Sequence, residues 1–101
     1  MDELDRLQAW YAAQCDGDWE HEYEIHIGNL DNPGWTVTIP LSGTELESVP
    51  FAEVKDMTPQ RDWVRCWVDG GEWHGVGGPL MLRRLLRHFL EWAASIQPAA
   101  T

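Results

Sequence analysis

A chain of 101 residues, 44% of them hydrophobic and seven of them tryptophan, has enough apolar surface for one core and too few residues for two. That excludes intrinsic disorder and predicts a single domain over residues 1–101. Seventeen Asp and Glu against seven Lys and Arg give a net charge of −10, which argues against nucleic-acid binding and favours a basic partner, or else serves solubility alone.

MDELDRLQAWY carries acids where a secretion signal carries cations, and no apolar run reaches membrane-spanning length. A cytoplasmic protein with no membrane partner is expected. Cys15 and Cys66 lie far apart without CxxC spacing, so both read as reduced, structural thiols.

Asp2 is placed to cap a helix in which Leu4, Leu7, Tyr11 and Cys15 recur at helical spacing, with Gly17 as its left-handed terminus. This predicts a first helix over Glu3–Asp16. Tyr23, Ile25 and Ile27 then alternate with Glu22, Glu24 and His26, the period of a half-buried strand. Asn32-Pro33-Gly34 supplies a turn, with glycine accepting the positive φ, and leads into a strand in which Trp35, Val37, Ile39 and Leu41 alternate with Thr36 and Thr38. Pro40 lacks the amide a central strand uses, which places this strand at an edge or ends it there.

Residues 42–60, broken by Pro50 and Pro59, read as loop with one short strand near Thr44–Glu47. Trp63–Val68 is a strand, Asp69-Gly70-Gly71 a tight turn and Glu72-Trp73-His74 the start of its partner. Gly75-Val76-Gly77-Gly78 turns the chain from sheet to helix and Pro79 suits the first helical turn. Leu82, Leu85, Leu86, Phe89, Ala93 and Ile96 then form an apolar stripe that Pro98 ends. The fold class is α+β: an antiparallel sheet of about four to five strands in two hairpins, with an N-terminal and a C-terminal helix packed on one face.

Catalytic and metal motifs fail on spacing. Asp16-Gly17-Asp18 begins like a calcium loop, but His21 and Ile27 occupy the positions where an EF-hand needs glycine and glutamate. His21 and His26, on one strand, point to opposite faces and cannot share a metal. The glycines at 75–78 match neither phosphate-binding fingerprint, and Cys66 between Val64 and Val68 reads as core rather than nucleophile. No catalytic residue, metal or cofactor is expected.

Two surfaces remain. With Tyr23, Ile25 and Ile27 inward, Glu20, Glu22, Glu24 and His26 form an outward row that Asp16 and Asp18 extend; it reads as a solvated face or a partner-binding strip. With Val64, Cys66 and Val68 inward, Trp63, Arg65 and Trp67 share the other face, the composition of a binding hot spot, unless the sheet is covered on both sides. Residues 79–101 hold Arg83, Arg84 and Arg87 against one acid, Glu91, and these arginines are expected to pair with the sheet's acids.

LQAWYAAQCDGDWEHEYEIHIGNLDNPGWTVTIPLSGTEL, followed by DWVRCWV, the GVGG segment and LLRHFLEWA, resembles the immunity protein 53 family of bacterial polymorphic-toxin systems, over about Leu7 to Ala93. Glu24 and Pro40 depart from that pattern, which tends to have Gly and Asp there. The resemblance implies a small α+β antidote, encoded beside a toxin and neutralising it by binding inside the producing cell, with no catalytic residues to carry over. Together with the charge it points to a basic, nuclease-like toxin domain, occluded by the Asp16–Glu24 strip and anchored by an aromatic such as Trp19 or Trp67. The competing class is a metal- or ligand-binding module or enzyme using Asp18, Glu20 and His21 within Asp16–His21.

Overall fold

In the computed structural model, which describes residues 2–57 and 62–96, the chain runs α1 (Glu3–Gln14), α2 (Trp19–Glu22), β1 (His26–Leu30), β2 (Gly34–Pro40), β3 (Val54–Asp56), β4 (Val64–Asp69), β5 (Glu72–Gly77) and α3 (Leu82–Ile96). The strands form one five-stranded sheet in the order β1-β2-β5-β4-β3, with every neighbouring pair antiparallel. The architecture is the expected α+β one. The breaks expected at Pro59 and Pro98 lie outside the described residues.

Local chemistry accounts for most boundaries. Asp2 caps α1 by accepting the Asp5 N–H at 2.9 Å. Gly70 and Gly71 both take positive φ, the requirement of a two-residue hairpin turn, and so fix the β4–β5 register at Asp69↔Glu72, Val68↔Trp73 and Trp67↔His74.

Alternation then sorts the strands into two faces. Val37, Ile39, Val64, Cys66 and Trp73 are fully buried under α1 and α3, which contribute Leu7, Trp10, Leu85, Leu86, Phe89, Leu90 and Ala93. Phe89 sits at the centre, its ring edge-on to Trp10 at 5.0 Å and to Trp73 at 5.4 Å. Each such side chain contributes about 1.5–3 kcal/mol by burial, and edge-on aromatic pairs add about 0.5–1.5 kcal/mol. Burial also pushes the Cys66 thiol up to about 12, so it is a core residue with no nucleophilic character near neutrality.

Four indoles tie irregular backbone to this core. Trp19 donates to the Ser42 carbonyl at 2.9 Å, Trp35 to the Pro79 carbonyl at 2.8 Å and Trp92 to the Pro50 carbonyl at 3.1 Å; Trp10 donates to the Glu45 carboxylate at 2.9 Å. Leu46, fully buried, and Phe51, edge-on to Trp92 at 5.0 Å, hold the same long connection between β2 and β3.

Several expectations are corrected. The segment from Trp19 to Glu22 is a short helix and not the start of a strand; β1 begins only at His26. Ile27, although paired with Val37, is 41% exposed rather than buried. Of the two readings of Pro40, the structure has the second: β2 is interior, not an edge, and Pro40 is its last residue, so the strand ends there as that alternative expected. Thr44–Glu47 is a succession of turns, and the third strand lies at Val54–Asp56.

The glycines of 75–78 also serve a different purpose. Gly75 and Gly77 lie within β5, where added Cβ atoms would crowd the Trp73 ring and the Trp63 carbonyl, and α3 starts at Leu82, after Pro79. Gly34 is not a positive-φ turn residue; a Cβ there would collide with the Gly77 carbonyl oxygen.

Candidate partner-binding surface

The acid-rich segment divides into structural and free carboxylates. Asp16 Oδ1 accepts the Asp18 and Trp19 N–H groups, each at 2.9 Å, while the Glu20 carboxylate accepts from Asp16 at 3.0 Å and from Gly17 at 2.9 Å. These reciprocal bonds resemble a capping box and build the turn that starts α2. Asp16 is held below the ordinary carboxylate range by those N–H groups, and Glu20 likewise by backbone N–H groups, first its own. Gly17, with φ of +99°, permits the turn.

Asp18, His21, Glu22 and Glu24 are left exposed. Among the described residues, none of the acids from Asp16 to Glu22 has an ion-pair partner, and Glu24 pairs only with His26 at 2.6 Å. Four arginines are engaged elsewhere: Arg83 and Arg87 with Glu3 of α1, Arg84 with Asp56 of β3, Arg65 with Glu53. Among the described residues only Arg84 of α3 meets a strand acid, and no Lys or Arg pairs with the acids of 16–24.

Trp19 does not join this strip. It is 6% exposed, edge-on to Trp10 at 6.2 Å and bonded through its indole N–H to Ser42, so it anchors α2 to the core and is no exposed anchor for a partner. His21 lies on α2 and His26 on β1, and among the described residues no three His, Cys, Asp or Glu side chains are grouped to hold a metal ion.

The second surface is the sheet face that the helices leave uncovered. Register places His26, Thr38, His74 and Trp67 in one row across four strands, and Gly28, Thr36, Val76, Arg65 and Lys55 in the next across all five. Trp67 packs on two neighbours in this face: His74 stacks on it at 5.3 Å with a 19° interplanar angle, and the Arg65 guanidinium lies 4.6 Å from its ring centroid. A cation and an imidazole on one indole fix its rotamer and present an ordered, amphipathic platform.

Trp63 lies one residue before β4, half-buried, and has no ring contact with that stack among the described residues. The two surfaces are linked through His26, the β1 member of the Trp67 row, which bonds Glu24 just before the strand; Thr38 and His74 stand between His26 and Trp67 in that row.

Immunity protein 53 is the family whose sequence pattern matches this chain, over residues 4–94. The chain belongs to the immunity protein 53 family. Neither the curated proteins nor the solved structures yield a match. Membership in this family implies binding of a cognate toxin, and among the described residues no helix is long and apolar enough to cross a membrane.

Sequence reasoning missed His74, Thr36, Thr38 and Val76 as members of the open face of this immunity protein. The signal for His74 was present: a two-residue Gly70-Gly71 turn pairs residue 67 with residue 74.

Proposed function

We propose that this immunity protein neutralises a basic, nuclease-like toxin domain by binding it directly and covering its nucleic-acid groove, without catalysis of its own, in the cytoplasm of the producing cell. The observation that carries this reading is the exposed carboxylate group Asp18, Glu22 and Glu24, which has no Lys or Arg partner among the described residues; its Glu24 bonds His26, the β1 member of the row that holds His74 and Trp67.

A groove that binds phosphates is lined with cations, and carboxylates exposed along one segment occupy it as phosphates do. The charge accelerates encounter, and the aromatic platform supplies the desolvated contact that slows dissociation. Asp16 and Glu20 serve this surface by shaping the loop, and His26 by orienting Glu24.

Co-expression tests the reading. The reading frame adjacent to this gene is induced in a bacterial host with and without the immunity protein, growth is scored, and the pair is co-purified. Restored growth with a stable complex is the expected result. A toxic neighbour that this protein neither relieves nor binds would sink the proposal.

A further inference from the structure

The two edges of the sheet are finished differently. β3, at one edge, is three residues long, carries Lys55 and Asp56, and is tied to α3 by the Arg84–Asp56 pair at 2.7 Å. β1, at the other, is five residues long and reads His26-Ile27-Gly28-Asn29-Leu30, with no lysine, carboxylate or proline. Among the described residues, no hydrogen bond beyond the β2 ladder reaches its backbone. An edge strand of this length is ordinarily blunted by charge, proline or a bulge.

Beside this bare edge the helix side is apolar. Ile27 shares the face of Val37 yet is 41% exposed, and Tyr11 of α1 is 37% exposed. Leu7, Gln8, Tyr11, Glu24 and Ile25 line an open cleft of about 270 Å³ between α1 and the approach to β1. A strand added outside β1 would find free amide and carbonyl groups along its length and an apolar cleft for its alternate side chains.

We propose that β1 receives an extended segment of the cognate toxin by strand addition, a segment with apolar residues at alternate positions and basic residues at its flanks. This rests on the toxin-binding reading and specifies its geometry. The basic flanks follow from charge: Glu22 and Glu24 stand at one end of β1 and Asp31 at the other, none with a Lys or Arg partner among the described residues. A second copy of this chain fits poorly. Antiparallel self-pairing centred on Gly28 sets Ile25 opposite Asp31 of the other copy, which brings Glu24 beside that carboxylate and joins two chains of −10 each.

Hydrogen exchange of the full chain, alone and with the purified toxin domain from the adjacent reading frame, tests this, alongside surface plasmon resonance of Ile27→Lys. The outward amides of residues 26–30 are expected to exchange readily in the free protein and to become protected in the complex. Ile27→Lys is expected to weaken binding about tenfold with an unchanged melting temperature, because a charge on the edge opposes strand addition. A complex in which 26–30 exchange as before overturns strand addition and leaves toxin binding standing. Protection that rises with the concentration of the free protein overturns the toxin segment as occupant and assigns the edge to a second copy. Absence of any complex brings down both proposals.

Discussion

On the helix side of the sheet Val37, Ile39, Val64, Cys66 and Trp73 are fully buried, while the same strands show Thr36, Thr38, Arg65, Trp67 and His74 to the other side. Neighbouring residues in one strand thus do different work. The buried set makes apolar contacts that exist only in the folded chain, so it carries stability. The open set makes ordered but solvent-reachable contacts such as the Arg65–Trp67–His74 stack, so its packing is available to a partner. A sheet with helices on one face can separate folding from recognition at single-residue resolution.

Phe89→Ala tests the buried half and has the largest expected effect: a loss of about 3–5 kcal/mol in urea unfolding, because a fully buried ring touching Trp10, Trp73 and Trp92 leaves a cavity. A loss below about 1 kcal/mol would mean that the core is not centred there.

Trp67→Ala should do the reverse, changing stability by less than about 1 kcal/mol while weakening toxin binding by about 2 kcal/mol or more in calorimetry, roughly thirtyfold. Equal losses in both measurements would erase the division between the faces.

Reversal of Asp18, Glu22 and Glu24 to Lys together should slow association about tenfold at low salt, with the difference shrinking as salt rises. Glu20→Gln should instead lower the melting temperature with little change in association rate, since its carboxylate is engaged by Asp16 and Gly17. An unchanged on-rate in the triple variant removes the loop from the interface.

The smallest effect is in pH. Burial, with Arg84 adding to it, lowers the His88 pKa from its ordinary 6.5, and backbone N–H groups lower those of Glu20 and Asp16 from 4.5 and 3.8. In each case the unfolded chain binds the proton first, so the stability is complete above the ordinary value and is lost as pH falls through the folded one. Thermal melts should therefore decline below pH 6.5 and again below 4.5, and His88→Asn should flatten the first decline. Melts that rise toward acid would contradict this.

The hairpin of β4 and β5 was legible because alternation and a two-residue glycine turn specify it locally, and α3 because its apolar stripe is long. The candidate site was half legible. Arg65 and Trp67 followed from period two, and the free acids from composition, but Trp19 was misplaced because its alternating acidic neighbours imitate a strand. What decides that segment is a set of carboxylate–amide bonds between Asp16 and Glu20 and a ring packed on Trp10, neither of which has a periodicity. β3 escaped for a related reason: three residues paired to β4 and held by Arg84 are specified by tertiary contact, not by local pattern. Gly34 and Gly77 looked like turn signals and are instead the places where two strands' backbones come too close for a side chain.

The indoles of Trp10, Trp19, Trp35 and Trp92 each pack on the core while their N–H groups hold Glu45, Ser42, Pro79 and Pro50. None of those connections can peel away without disturbing an indole anchored beside the helices. Local fraying is thereby linked to global melting, and a chain with many irregular residues should still unfold cooperatively, its loops and its sheet disappearing in one transition.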